Sequence, residues 1–375
     1  MTAIYLDNAA STRVSDDALA LMTEVMRTAW GNPSSAHPQG AASRAHLATA
    51  RDRLISALGG SGDIVFTSGC SEANALAVLG AARTHAGTIV ISTFEHPAVS
   101  TLADQLAREG REIVRVAPGS SGVLDPDAVA RAAEGAGVVS IVMVQNEIGI
   151  VQPIAAIVAA VRARAPGAHV HLDAAQAFGK IPIDAGALGA DSLAIAGHKL
   201  HAPKGVGALW LRADAAIAPL WAGGGQQRGL RGGTQDAPAA AALGLAAQRA
   251  VAALPTARVR WLDQASRVME AVAPLGVRPL VPDQRRVPHI LALAVPGVPA
   301  AGLRNVLASR GVYISTGSAC ATGEAKPSAV LAAIGLAEDA GMVRLSFGLD
   351  TQDADVDAAT KILVEVVKEL QKTST

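Results

Sequence analysis

The sequence predicts an α/β protein with a largely parallel sheet in a large domain and a smaller α+β domain after it. Up to about residue 200, short apolar segments alternate with alanine-rich stretches of helical periodicity, as in a parallel sheet with crossover helices. Half of the 375 residues are apolar, which suffices for a substantial core. The expected strands of the large domain are residues 64–67, 88–92, 112–116, 138–144, 169–173 and 193–196.

The residues before these strands predict an arm and two helices. Residues 4–13 are typical of an extended arm that ends in polar turn residues. Residues 15–29 have helical apolar spacing, with Ser15 as the N-cap. A loop at 32–37 (NPSSAH) then leads into a second helical pattern at 41–58.

The chain after the last of these strands predicts the smaller domain. A long helix near residues 247–261 leads out of the large domain. The elements expected next are a strand pair, a glycine-rich loop with a cysteine, another strand and a terminal helix: residues 290–295 with 312–315, Cys320, residues 343–347, and a helix from about Asp353. We therefore predict a large domain at residues 15–255 and a small domain formed by residues 1–14 and 256–375.

Charge and cysteine content exclude several classes of protein. Lysine plus arginine and aspartate plus glutamate number 32 each, so no net basic field favours nucleic acid or an anionic membrane as a partner. The start, MTAIYLDNAAS, lacks the basic and then apolar segments of a secretory signal, so we expect a cytoplasmic protein. The two cysteines, Cys70 and Cys320, predict no disulfide framework, and the absence of zinc-ligand spacing predicts no metal site.

Lys199 follows the last strand of the alternating region, in the sequence DSLAIAGHKLHAPKG. A strand end presents a side chain rigidly, and a desolvated lysine can form a Schiff base with the aldehyde of pyridoxal phosphate. A lone lysine after a strand is more often a solvated surface residue. The interpretation therefore depends on other residues of the chain.

Asp173 ends the predicted strand HVHLD. The carboxyl ends of parallel strands face the crevice where ligands bind, and a carboxylate there can pair with the protonated ring nitrogen of pyridoxal phosphate. Gln176, three residues later, can donate to the phenolic oxygen of the same cofactor. Taken alone, Asp173 is more often a turn or helix cap, and Gln176 carries no signal.

The junction TSGCSEAN at residues 67–74 predicts a phosphate cup. Gly69 permits a tight turn, the amides after it form the start of a helix, and the Ser71 hydroxyl adds a donor. As a short motif it is weak, because many helices begin with Ser-Gly. Cys70 within it favours packing as a small residue over acting as a nucleophile.

Two polar residues follow two other strands. His96, in FEHP, presents a flat imidazole that can stack on a cofactor ring and exchange protons with a substrate. A hydrogen-bonded structural histidine is the equal alternative. Asn146, in QNEIG, can contact an oxygen of the cofactor or the carboxylate of the substrate.

The smaller domain contributes a thiol and a guanidinium. Cys320 lies in YISTGSACATG, where small residues predict an exposed, mobile loop from which a thiolate can reach a substrate and then a partner. Arg344, in the predicted strand VRLS, can clamp the carboxylate of an amino acid with two parallel hydrogen bonds. An incidental thiol and a surface ion pair are the ordinary alternatives for each residue alone.

Together these motifs resemble the cysteine desulfurases of the NifS/IscS type, in the class V aminotransferase group of fold-type I pyridoxal-phosphate enzymes. The resemblance runs nearly end to end and keeps the family's order: YLDNAAST, GNPSSAH, TSGCSEAN, EHPAV, QNEIGIVQP, HLDAAQAFGK, GHKLHAPKGVGAL, RGGT, STGSAC and VRLSFG. It implies a large domain with a mainly parallel seven-stranded sheet, pyridoxal 5'-phosphate as cofactor, and a homodimer.

The resemblance also implies roles for individual residues. Lys199 would carry the cofactor, Asp173 would hold its ring nitrogen and His96 would stack over the ring. The other implied cofactor contacts are Gln176 and Asn146, the phosphate ligands Cys70, Ser71 and His198, and Thr234 from the second subunit. Asn146, Arg344 and Asn32 would bind the substrate, and Cys320 would accept its sulfur. The chain has Ala196 where many relatives have a serine before Gly-His-Lys, so one expected phosphate hydroxyl is absent.

The expected reaction converts L-cysteine into L-alanine. Lys199 would remove the α-proton, His96 would manage protons at the substrate thiol, and Cys320 would take the sulfur as a persulfide for a scaffold or thiolation protein. The alternatives are a selenocysteine lyase or another class V enzyme that does not need Cys320, and an idle scaffold that needs no cofactor. Retention of Lys199, Asp173 and His96 argues against the scaffold.

Overall fold

The computed structural model describes residues 3–59, 62–317, 329–336 and 341–373. Its strands are β1 (Ile4–Tyr5), β2 (Asp63–Thr67), β3 (Thr88–Ser92), β4 (Ile113–Val116), β5 (Ala136–Val142), β6 (His169–Asp173), β7 (Ser192–Ala196), β8 (Gly207–Leu211), β9 (Arg278–Pro279), β10 (Ile290–Val295), β11 (Val312–Tyr313) and β12 (Gly341–Ser346). Its helices are α1 (Asp16–Thr28), α2 (Pro38–Ala57), α3 (Cys70–Thr84), α4 (Pro97–Arg108), α5 (Pro126–Ala132), α6 (Ile154–Arg164), α7 (Ala185–Leu188), α8 (Ala237–Val272), α9 (Ala300–Ser309), α10 (Ala329–Ala333) and α11 (Asp353–Thr373).

A seven-stranded sheet forms the centre of the fold, in the order β2-β8-β7-β6-β5-β3-β4. Strands β4, β3, β5, β6 and β7 run parallel, and each of the six predicted strands is present within two residues of its predicted ends. The α/β prediction with a mainly parallel sheet is therefore confirmed. Because β8 is antiparallel to both β7 and β2, β2 points the same way as the parallel strands. The carboxyl ends of six strands, β2 to β7, consequently lie along one edge.

The strand β8 was not predicted from the sequence. Its residues, GALWL, are all buried, and its first residue directly follows the turn after Lys199. A continuous apolar run of this length does not by itself distinguish a strand from a buried helical segment. The connection from β7 to β8 is short and contains no crossover helix, so the chain reverses direction and β8 runs antiparallel to β7.

The helix expected near residues 247–261 is longer at both ends. It is α8, which begins after Asp236, whose carboxylate caps it by accepting from the amide of Ala239. Within the described residues, only the segment Ala237–Leu275 is long and apolar enough to cross a membrane by length and composition. Because 61% of its most apolar window is buried inside the protein, it has the character of a core helix.

The strand pair predicted at residues 290–295 and 312–315 is wrong. Strand β10 pairs with β12 and β9, both antiparallel, whereas β11 pairs parallel with the N-terminal strand β1. Two apolar segments close in sequence suggest a hairpin, but the chain's first residues take the position beside β11. This pairing brings the N-terminal arm against the smaller domain and next to β12.

The fold has two large clusters of buried apolar side chains, and α8 contributes residues to both. One cluster contains the sheet residues and the first half of α8, up to Ala250. The other contains Leu6, the second half of α8 around Trp261, and the faces of β10, β12 and α11. The predicted boundary between residues 255 and 256 falls inside α8, so a continuous helix connects the two clusters, and the domain division itself stays a prediction.

Candidate active site

A cleft of about 800 Å³ opens at the carboxyl ends of the parallel strands. Loops after β2, β3, β5, β6 and β7 supply most of its walls, because these strands end at the same edge of the sheet. Nine of the side chains predicted from the sequence line it: Cys70, Ser71, His96, Asn146, Asp173, Gln176, His198, Lys199 and Arg344.

Lys199 ends a short 3₁₀ turn that follows β7 directly. Its Nζ donates hydrogen bonds to the carbonyl oxygens of Ala9 and Ala10, the latter at 2.9 Å. Burial, and then the positive charge of Arg344, lower the pKa of Lys199 to about 8. The lysine is therefore held in place by backbone carbonyls, and its unprotonated fraction at pH 7 is about one in ten, far larger than that of an ordinary lysine.

Asp173 lies at the end of β6 and is 3% exposed. Its Oδ1 accepts from the amide of Ala175 at 2.9 Å, and its Oδ2 accepts from Nδ2 of Asn74 at 2.8 Å. The Sγ of Cys70 lies 3.7 Å from Oδ1. Burial, followed by the charge of Asp173, raises the pKa of the Cys70 thiol well above its usual value, so this thiol stays protonated and is a poor nucleophile.

The start of α3 forms the cup predicted at TSGCSEAN. No side chain caps the helix at Gly69, so the first amides of the helix are left for a ligand. Gly207 of β8 packs against Gly69 so closely that a Cβ on Gly207 would lie 2.6 Å from the Gly69 carbonyl carbon. His198 adds a ring whose Nδ1 lies 3.3 Å from the Ser11 hydroxyl oxygen. An exposed helix start with adjacent polar side chains suits a phosphate group.

His96 is the N-cap of α4. Its Nδ1 accepts from the amide of Ala98 at 3.1 Å, and burial lowers the pKa of the ring. A neutral imidazole whose Nδ1 accepts a hydrogen bond carries its proton on Nε2. The nitrogen that remains for a ligand is therefore a donor.

Arg344 joins the smaller domain to the cleft. Its Nη1 donates to the carbonyl oxygen of Asn146 at 2.8 Å, and its Nη2 donates to Oδ1 of Asp7 at 2.7 Å. Its Nε has no hydrogen-bond partner among the described residues. A buried guanidinium that is fixed by two oxygens and keeps three of its five N–H donors unused within the described part of the chain is a preorganised site for a carboxylate.

Gln176 lies beneath these groups and is 4% exposed. Its Nε2 donates to the Ala9 carbonyl at 2.8 Å, and its Oε1 lies 3.3 Å from Nε2 of His289. Because burial keeps the pKa of His289 well below its usual value, the ring is neutral and Nε2 carries the proton in this contact. The amide of Gln176 is thus held in one orientation.

Three predicted residues are not among those that line the cleft. Asn32 is exposed, and its side-chain oxygen accepts from the amide of Ser34 at 2.9 Å. Thr234 is exposed on a loop between β8 and α8. Cys320 lies outside the described residues, so its predicted role stays a prediction.

Sequence reasoning missed several groups of the site. Asp7, Ala9 and Ala10 come from the N-terminal segment, which the sequence indicated only as an arm. Glu95 lines the cleft beside His96, 7% exposed, with its Oε1 accepting from the Ser92 hydroxyl and the Val142 amide. Asp7 lies in the motif YLDNAAST, and Glu95 is the first residue of EHPAV. Neither motif by itself indicates that its carboxylate becomes buried in the folded protein.

The groups around the cleft form a chemically specific set. An amine of lowered pKa, a fixed carboxylate and a free helix start suit a cofactor that bears an aldehyde, a basic ring nitrogen and a phosphate. Among the described residues, no group of three or more histidine, cysteine, aspartate or glutamate side chains is arranged to hold a metal ion.

Comparisons with known proteins agree with this chemistry. The model of the family described as aminotransferase class V matches residues 4–359. A cysteine desulfurase of Gluconacetobacter diazotrophicus is 36% identical over 384 positions, covering 100% of this chain and 96% of the relative. A solved NifS-like protein is 32% identical with a TM-score of 0.92, covering 98% of this chain and 100% of that one. The structure of SspA in complex with cysteine is 30% identical with a TM-score of 0.80, over 92% of this chain and 98% of that one.

Proposed function

The chain belongs to the class V aminotransferase family, and on that premise we propose that it is a cysteine desulfurase. The observation that carries the proposal is the meeting of Lys199, Asp173 and the start of α3 in one cleft. Proteins named cysteine desulfurase and IscS-like cysteine desulfurase match 100% and 96% of the chain, respectively. The overall reaction takes L-cysteine and an enzyme thiol to L-alanine and an enzyme persulfide.

Pyridoxal phosphate is the cofactor that the donor set fits. Lys199 would hold its aldehyde carbon, Asp173 its ring nitrogen, Gln176 its phenolic oxygen and His96 the face of its ring. The phosphate would lie at the start of α3, against the backbone of Cys70, with Ser71 and His198 as further donors. When bound, the cofactor supplies an electron sink for the charge left at the α-carbon of the substrate.

Binding and proton transfer fall to this chain's side chains. Arg344 binds the carboxylate of L-cysteine through N–H donors that its contacts with Asn146 and Asp7 leave unused, with Asn146 beside it and Asn32 as a further proposed contact. Lys199 takes the α-proton onto Nζ, a step that its lowered pKa favours near neutral pH. His96 donates from Nε2 to the substrate sulfur and orients it for attack by the thiolate of Cys320. The S–S bond forms as the bond between the sulfur and the β-carbon breaks, and the β-carbon takes a proton to become the methyl group of L-alanine.

Cys320 receives the sulfur in this proposal. The only other cysteine, Cys70, is unsuited because its pKa is raised by burial and its Sγ lies beside the Asp173 carboxylate. From the Cys320 persulfide the sulfur passes to an acceptor protein, for iron–sulfur cluster assembly or thiolation, in the cytoplasm.

A homodimer completes the proposal. Thr234 is exposed and apart from its own chain's cleft, which suits a contact with the phosphate bound by a second copy. Trp30 and Trp221 are 70% and 52% exposed, and large apolar side chains at the surface favour an interface.

The test compares wild type with Cys320→Ser. Alanine and sulfide production from L-cysteine is measured with dithiothreitol present, and the absorption spectrum is recorded for each protein. We expect the variant to keep the yellow cofactor and to lose both products, while Ser309→Ala, an exposed change on α9, matches wild type. If Cys320→Ser keeps full turnover, a lyase or aminotransferase that does not use Cys320 replaces the proposal.

A further inference from the structure

Strand β6 carries three polar side chains on one face. His169, His171 and Asp173 alternate along the strand, so all three point to the same side of the sheet. They are 2%, 0% and 3% exposed, respectively. The row ends at the carboxylate that lines the cleft. Because polar side chains are stable in the interior only when they are hydrogen-bonded, each of these three needs partners.

A continuous chain of hydrogen bonds joins this row to two neighbouring elements. Nε2 of His169 lies 2.9 Å from Oγ of Ser192 on β7, and the same Oγ lies 2.8 Å from Nδ1 of His171. Nε2 of His171 lies 2.9 Å from Oδ1 of Asn74 on α3. Nδ2 of Asn74 then donates to Oδ2 of Asp173 at 2.8 Å.

Each link in this chain has only one chemically consistent direction. The Asp173 carboxylate only accepts, so Asn74 presents its NH₂ to Asp173 and its oxygen to His171. His171 must then donate from Nε2, which leaves Nδ1 to accept from the Ser192 hydroxyl. That hydroxyl, having used its hydrogen, accepts from Nε2 of His169. Every donor therefore points toward Asp173.

The protonation states agree with this direction. Burial is the main cause that lowers the pKa of His171 to about 3 and that of His169 to about 4, so both rings are neutral at neutral pH. The charged groups near the outer end are Asp191, Arg162 and Arg212, and Asp191 is paired with both arginines. The ring of His85 lies 5.7 Å from that of His169, between centroids.

Within the proposed function, we propose that His171 is a positioning residue for the ring-nitrogen site, acting through Asn74 on Asp173. An asparagine amide has nearly the same shape in both orientations, so sterics alone do not fix it. Without a donor at His171, the buried oxygen of Asn74 loses its hydrogen bond, so the amide is anchored only at Asp173 and holds that carboxylate less firmly in place. The chain through Ser192 and His169 holds the His171 ring in the tautomer that supplies this donor.

The test uses His171→Leu, which removes the donor, and His171→Gln, whose amide can still donate to Asn74. Equilibrium binding of pyridoxal phosphate is measured without substrate. We expect the dissociation constant to rise about tenfold or more in His171→Leu and to stay within about twofold of wild type in His171→Gln. Val170→Ala, on the opposite face of β6, controls for a general loss of stability and is expected to leave the constant unchanged.

A second measurement is independent of cofactor binding. Long-range ¹H–¹⁵N spectra of the cofactor-free protein report the histidine tautomers. His169 and His171 are both expected to be neutral Nε2–H rings, and the signal assigned to His171 should be absent in His171→Leu. An Nδ1–H tautomer at His171, or a rise of the dissociation constant in His171→Gln or Val170→Ala as large as that in His171→Leu, overturns the inference. If wild type binds no pyridoxal phosphate while the tautomers are as expected, the proposed function fails and the hydrogen-bond chain stands.

Discussion

Arg344 and Asp7 form a buried ion pair that joins β12 to the N-terminal segment, with Nη2 and Oδ1 2.7 Å apart. The Arg344 side chain is 2% exposed and that of Asp7 19% exposed. A buried guanidinium needs a partner, and here the partner also fixes the plane in which the remaining donors lie. Asp7 therefore belongs to the proposed substrate site through its ion pair with Arg344.

Replacing Asp7 with asparagine tests this relationship. The amide oxygen still accepts from Arg344, but the charge that fixes the guanidinium is lost. We expect KM for L-cysteine to rise about tenfold, while kcat stays within about threefold, because the change affects binding of the carboxylate and not the reacting atoms. Steady-state kinetics of alanine release measure both constants.

Asp214→Asn is the matched control for this variant. It removes one charge from an aspartate that is paired with Arg212 at the surface, where ion pairs contribute little. Its kinetic constants should equal those of wild type. A fall in kcat for Asp7→Asn with KM unchanged would contradict the assigned role.

The lowered pKa of Lys199 predicts the pH dependence of cofactor capture. Only the unprotonated amine attacks an aldehyde, so below pH 8 the association rate should rise about tenfold per pH unit and then level off above about pH 8. An ordinary lysine would keep the rate rising to about pH 10.4. Stopped-flow absorbance of cofactor-free protein mixed with pyridoxal phosphate gives the profile.

Lys199→Ala separates covalent capture from mere binding in the same experiment. It should show none of the absorbance change, since no other residue is proposed to react with the aldehyde. A rate that keeps rising well above pH 8 in wild type would mean that Lys199 is not desolvated as the structure indicates.

The sequence predicts those residues of the site that lie at or just after the ends of strands. Lys199, Asp173 and His96 each follow a parallel strand, and parallel strands bring their carboxyl ends to one edge without further information. Asp7 could not be found this way, because it is 337 residues from Arg344 and meets it through the pairing of the N-terminal segment with β11 and β12.

Local patterns also mislead where distant segments compete for one position. The segments at 290–295 and 312–315 look like partners because they are close in sequence, yet β1 occupies the place beside β11 and β12 the place beside β10. The orientation of Asn74 is equally hidden, since it depends on a histidine 97 residues away. Such features arise from tertiary packing, which no single stretch of sequence records.

The buried carboxyl group of Glu95 predicts that the free energy of unfolding depends on pH. Burial raises its pKa to about 8, so the folded protein holds a proton that the unfolded chain releases near pH 4.5. Stability from this proton is present below about pH 4.5 and is lost as the pH rises toward 8. Glu95→Gln should remove this loss, up to about 1.4 kcal/mol per pH unit in that window.

Urea unfolding at several pH values between these limits measures the difference between Glu95→Gln and wild type. The glutamine can still accept from Ser92 and Val142, so the fold should be kept. Glu109→Gln, at an exposed position, keeps Glu95 and should therefore show the same pH dependence as wild type. A Glu95→Gln curve parallel to wild type would mean that Glu95 is already ionised in the folded protein.

Gly207 predicts how the cup at the start of α3 responds to one added methyl group. A Cβ there would lie 2.6 Å from the Gly69 carbonyl carbon and 2.7 Å from the Ile195 carbonyl oxygen, both of them backbone atoms that cannot swing aside. Gly207→Ala should therefore displace Gly69, cost about 1–3 kcal/mol of stability and weaken pyridoxal phosphate binding about tenfold.

Gly302→Ala on α9, where a Cβ meets nothing within 4 Å, is the matched control and should leave both quantities near wild type. Thermal unfolding and equilibrium cofactor binding measure the two effects, and unchanged affinity in Gly207→Ala would show that the phosphate does not depend on the position of Gly69.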